Sequence, residues 1–188
     1  MPRNLLFVST LTAFLIAPCG AQSPARGPAP ASKPRPATAA APSPHPVANL
    51  SQLMKGILYP ASNVIFAAQS TNPADVKPAA DPAMATNPLA STYGQWQAVE
   101  NSALAIVEAA NLLTITGRKC SSGVDVPLKN PDWPKLVQGL RDAGMKVYKA
   151  AQAKSQDDIV ATAGDLTEAC DTCHGKYREK PSIAERCK

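Results

Sequence analysis

The chain of 188 residues is long enough for one domain of ordinary size and, once its ends are set aside, too short for two. Only 5% of residues are aromatic and 19 prolines crowd into stretches where no core forms, which disfavours an all-β sandwich and its runs of β-branched and aromatic residues. The formal charge of +5 suggests a nucleic-acid surface until it is located: Arg3, Arg26, Lys33 and Arg35 precede the folded part, which keeps 15 bases against 14 acids. No basic groove for phosphates is expected, and no nucleic-acid partner.

Residues 1–21 read as a signal peptide. Arg3 supplies the positive start, Leu5 to Ala17 an apolar run, and Cys19-Gly20-Ala21 a small-residue cleavage site. The run is too short to span a bilayer, so no membrane span is expected. Acylation of Cys19 is the minor alternative, disfavoured by Pro18 immediately before it. Either way the mature protein is expected outside the cytoplasm, in the periplasm. Residues 22–46 hold eight prolines among Ala, Ser, Gly and basic residues. Such a segment cannot bury enough apolar area to offset its ordering entropy, so it reads as a disordered, partly extended tether that ends near a solvated His45.

Residues 47–188 read as the folded domain. Leu50, Leu53, Met54, Ile57, Leu58, Ala61, Val64, Ile65 and Ala68 step by three and four, which predicts a first helix over about 48–69. Pro60 cannot donate to the Gly56 carbonyl, so this helix is expected to be kinked or split into two pieces. A proline-rich connection follows. A second helix is expected from Ser91 to Thr116, with Tyr93, Trp96, Val99, Ala103, Val107, Ala110 and Leu113 on one side and Gly117 as its C-cap. The third starts near Asp132 or Pro134, with Leu136, Val137, Leu140, Gly144, Val147, Tyr148 and Ala151 facing inward. Ser155 caps a fourth that runs to about Glu179 and carries Asp157 and Asp158 in its first turn. Four amphipathic helices without a convincing strand predict an all-α fold, an antiparallel four-helix bundle.

The chemistry is concentrated in Cys170-Asp171-Thr172-Cys173-His174. On a helix the cysteines are three apart and the histidine four beyond the first, so all three side chains point to one side. Covalent haem requires this arrangement: two thiols reach two vinyl groups as thioethers, and the imidazole reaches the iron. The competing chemistries fit less well. A thioredoxin-like pair follows a strand in a βαβ unit, and a structural zinc needs a fourth ligand where only Cys120 and Cys187 remain. A disulfide between Cys170 and Cys173 inside a helix would be strained and leaves His174 unexplained. One covalent haem c is therefore the expected cofactor, and export agrees with it.

With its CxxCH motif in the last helix, continuing as CHGKYR, the chain resembles the class II c-type cytochromes, the cytochrome c-prime family, over residues 48–188. The resemblance implies that His174 is the proximal iron ligand and that Arg178, one turn on, tunes its electrostatics beside Tyr177. A solvated helix-end arginine is the plainer role for Arg178. The family's arginine near the haem propionates, in the first helix, falls here on Leu50, so that contact is absent or made by Lys55 or another base. In the up-down-up-down bundle the ends of the second and fourth helices share a pole, which allows a Cys120–Cys187 disulfide; free or intermolecular thiols are the alternative.

On the distal side Met54 is the candidate ligand, on the first-helix stripe and at the place where methionine-ligated members have theirs; Met84 and Met145 are less well placed. The alternative is an open site walled by Met54 and Leu50. The expected function is electron transfer with redox partner proteins. The alternatives are a five-coordinate haem that binds a small gaseous ligand, NO or CO, and an accessory redox subunit of a larger enzyme. A homodimer is an admissible assembly. No enzymatic constellation is visible, because the folded domain's one histidine is committed to iron.

Overall fold

The structure, a computed structural model, describes residues 45–188; the signal-peptide reading with Cys19, and the tether up to residue 44, lie outside the described residues. Four long helices account for the domain. The first comprises Leu50–Leu53, a π-helical turn Met54–Leu58, and Tyr59–Ser70. The second is Gln95–Leu112, the third Trp133–Gln152 and the fourth Gln156–Tyr177. Short 3-10 turns punctuate the connection between the first two, and an isolated bridge pairs Lys119 with Asp125. The described chain is all-α. None of its helices is long and apolar enough to cross a membrane.

The first helix starts where Asn49 and Gln52 exchange side-chain-to-backbone hydrogen bonds of 2.9 Å, a capping box that satisfies two orphan amides and contributes about 1 kcal/mol. It does not split at Pro60. Just before the proline the helix widens, and the Tyr59 amide donates to the Met54 carbonyl five residues back. The wider turn eases the clash between the pyrrolidine ring and the preceding carbonyls, so the helix stays continuous. Burial follows the change of register. Leu53 and Leu58, five apart, are buried, while Ile57 is only half-buried.

The second helix is shorter than expected at both ends. Tyr93 lies before it and is exposed, and Gly94 serves as N-cap, where a Cβ would lie 2.5 Å from the Leu89 carbonyl oxygen and 2.7 Å from that of Ser91. At the other end Leu113 is the C-cap, and Gly117 takes its positive φ of 84° in the turn beyond rather than as the cap. Ile106 and Ala109, rather than Val107, complete the buried face. The fourth helix ends at Tyr177, two residues before the expected Glu179.

The second helix packs against the first and third, and the fourth packs against the first and third. Gly144 in the third helix allows close approach, since a Cβ there would lie 2.9 Å from Val107 Cγ2. Hydrogen bonds define two poles. At one, Gln156 Nε2 donates to the Ala68 carbonyl at 2.7 Å, joining the end of the first helix to the start of the fourth. At the other, the Leu50 amide donates to the Lys119 carbonyl at 2.8 Å and the Trp133 indole to the Leu113 carbonyl at 3.3 Å. That pole also holds Arg118, 4% exposed, whose Nε donates to the Leu112 carbonyl at 2.9 Å and whose guanidinium reaches the Ala48 carbonyl. Helices adjacent in the chain therefore run antiparallel.

Candidate functional site

A cavity of about 470 Å³, within the roughly 300–1,000 Å³ of small-molecule and cofactor sites, opens near the Arg118 pole. Its walls are mostly apolar. The first helix contributes Leu50, Met54, Leu58 and Phe66; the third contributes Trp133, Leu136, Val137 and Leu140. Cys170, Cys173, His174, Tyr177 and Arg178 border it from the fourth helix, so every residue singled out around the CxxCH motif meets the same space as Met54 and Leu50. Met84 and His45 do not line it; Met84 is exposed in a 3-10 turn.

The motif reaches the cavity through helix periodicity. Ile159, Ala163 and Leu166 are fully buried on the face that continues into Cys170 and Cys173. Although they continue that buried face, the two cysteines are free thiols and only half-buried, because here the helix faces a cavity instead of packed side chains. Removal from water raises the Cys170 thiol, with the Asp171 charge adding to it and Arg178 opposing. The same burial pushes Cys173 up to about 11, helped by Cys170 and Asp132. Both are protonated at neutral pH, unlike the thiolates of a redox pair or a zinc site. His174 is lowered, first by burial and then by the Arg178 charge, so its imidazole is held neutral with a lone pair to offer. Among the described residues no three His, Cys, Asp or Glu side chains converge on a point that a bare metal ion could occupy.

Arg178 is the C-cap of the fourth helix. Its amide donates to the His174 carbonyl at 2.8 Å, and its guanidinium, more than half exposed, pairs with Glu179 at 2.5 Å. Tyr177 is held by its hydroxyl, which donates to Asp132 Oδ1 at 2.9 Å and accepts from Asn130 at 3.2 Å. Its ring meets Trp133 edge-on, with centroids 5.1 Å apart. Tyr177 thus braces the cavity rim against the start of the third helix.

Cys120 and Cys187 are joined as a disulfide, with Cα atoms 6.5 Å apart. The bond ties the loop after the second helix to the C-terminal tail. The Cys187 amide also donates to the Tyr177 carbonyl at 2.8 Å, which satisfies one of the last carbonyls of the fourth helix. Through this tail Arg186 and Cys187 become part of the cavity wall.

Sequence reasoning missed Phe66, Trp133 and Arg186 as wall residues, and Arg118 as a buried strut. Arg118 carried a usable signal: it follows the last turn of a helix, where an arginine can serve the final carbonyls. Compared with protein-family models, with curated proteins and with solved structures, the chain matches none.

Proposed function

We propose that this chain is an exported monohaem c-type cytochrome of the class II, cytochrome c-prime kind, a four-helix bundle that carries electrons in the periplasm. The observation that carries the reading is the meeting of Cys170, Cys173 and His174 with Met54 on one apolar cavity. The antiparallel run of the helices and their cyclic packing support the bundle. The donor set fits the group. Two protonated thiols three residues apart suit thioether bonds to vinyl carbons, and a neutral imidazole suits iron.

Haem c, once bound, supplies a one-electron Fe(II)/Fe(III) couple whose potential responds to burial and axial ligation. Cys170 and Cys173 would hold it covalently, and His174 would be the proximal ligand. Leu58, Phe66, Trp133 and Leu140 give that space apolar walls. Arg178 places a positive charge one turn from His174, which disfavours a protonated imidazole. Redox partner proteins are the partners this reading requires.

Absorption spectra of the oxidised and reduced protein, before and after acidic solvent extraction, test it. A haem that resists extraction is expected; a chain expressed with a haem-attachment system that carries no covalent haem overturns the reading.

A second reading is favoured by the Leu50, Leu58 and Phe66 wall: a five-coordinate iron open to NO or CO. Met54→Ala separates the two. With Met54 bound, the wild type is low-spin and binds CO slowly, whereas the variant is high-spin and binds it readily. A wild type that is already high-spin gives the gas-binding reading first place.

A further inference from the structure

Of the three bases on the cavity wall, two have their charge in water: Lys55 is exposed on the first helix, and Arg178 is exposed and paired with Glu179. Arg186 differs. Its Nε is buried and has no hydrogen-bond acceptor, and no carboxylate among the described residues pairs with its guanidinium. A buried charged donor without an acceptor is costly and is tolerated where a ligand completes it.

The residue is also firmly held. Its own amide donates to the Ile183 carbonyl at 3.2 Å, and the turn before it is closed by a capping box between Ser182 and Glu185. The next residue, Cys187, is fixed by the disulfide to Cys120 and by its amide bond to Tyr177. A long, rotamer-rich side chain anchored this way has been delivered to the cavity wall by the tail that carries it.

We propose that Arg186 binds a carboxylate of the group that fills the cavity; resting on the haem reading above, that carboxylate is a haem propionate. The guanidinium presents a planar fork of donors that matches a carboxylate, and Nε would be one of its two contacts. The contact comes from the C-terminal tail, so the Cys120–Cys187 bond acts as the device that positions an anion-binding residue. Leu50, in the first helix, offers no charge for this task.

The test uses the haem-loaded full chain with Arg186→Gln and Arg186→Lys. Loss of a positive charge beside a propionate leaves more net negative charge near the iron and favours Fe(III), so Arg186→Gln is expected to lower the midpoint potential and shift the resonance Raman band of propionate bending. Arg186→Lys keeps the charge and should restore most of the potential but only part of the Raman band. Equal melting temperatures in the two variants separate this from a packing defect. A potential and a Raman band unchanged in Arg186→Gln overturn the inference while leaving the cytochrome reading intact; a wild type without covalent haem overturns both.

Discussion

The two poles of the helices are built to different densities. Around the Gln156 pole Ile65, Ala68, Val99, Val147, Ile159 and Ala163 are all fully buried. At the other pole, Leu50, Met54, Leu136, Cys170 and Cys173 face about 470 Å³ of open volume and stay partly exposed. Residue size explains the first: alanine and glycine let helix axes approach until β-branched side chains interlock. The second needs long aliphatic and aromatic side chains spaced around a gap, and a tail to close its rim. The contrast teaches that the gap is local to one pole, because the same helices bury their facing residues fully a few turns away.

On the haem reading proposed above, which the predictions that follow assume, the strongest way to break the contrast is to deny the hollow end its cofactor. Leaving such a volume unfilled costs at most about 11 kcal/mol at about 24 cal/mol per Å³, comparable with the whole stability of a domain, about 5–15 kcal/mol. Cys170→Ala with Cys173→Ala is therefore expected to give a protein without covalent haem and without a cooperative melt by circular dichroism. A sharp two-state melt in that variant would show that the pole closes unaided.

Removing the rim's staple comes next. Cys120 and Cys187 are 67 residues apart in sequence, and opening a loop of that length relaxes the unfolded chain by an amount equivalent to about 4 kcal/mol. Cys120→Ser with Cys187→Ser should lower the denaturant midpoint accordingly, with the haem still attached. A midpoint that does not move would mean that the tail is held by its hydrogen bonds alone.

The dense pole can be loosened independently. Ile159→Ala should cost about 3 kcal/mol in chemical denaturation and leave the haem spectrum as it was, because Ile159 is fully buried yet does not border the cavity. A changed spectrum would show that the two poles are mechanically coupled.

The sequence carried the helices further than it carried the space between them. Stripes with a period near 3.6 located all four, and the Ser155 cap appears with its hydroxyl accepting from the Asp158 amide. The ends of the second helix were less legible, because the chain enters it through an extended Gly94 and a Gln95 of positive φ, 53°, which no periodic stripe announces. The CxxCH residues could be assigned to one side of a helix from spacing alone. The opposing wall could not, since Phe66, Trp133 and Arg186 approach it from three separate parts of the chain. Arg118 is buried because it serves the Leu112 carbonyl and, across the fold, that of Ala48, a pairing only tertiary structure creates.

The π-turn at Met54–Leu58 amounts to one extra residue in an otherwise regular helix. Each residue of an α-helix advances about 100° around its axis, so everything before the turn is out of phase by that angle with everything after it. The lower part of the helix can therefore keep Ala61, Val64 and Ala68 locked in the dense pole while Leu50 and Met54 are aimed independently at the cavity. A chain one residue shorter at Gly56 could fold the same helix and bury the same alanines, yet swing Met54 away from the space it now borders. In this molecule the wide turn sets the angle at which Leu50 and Met54 meet the cavity relative to the part of the helix that follows.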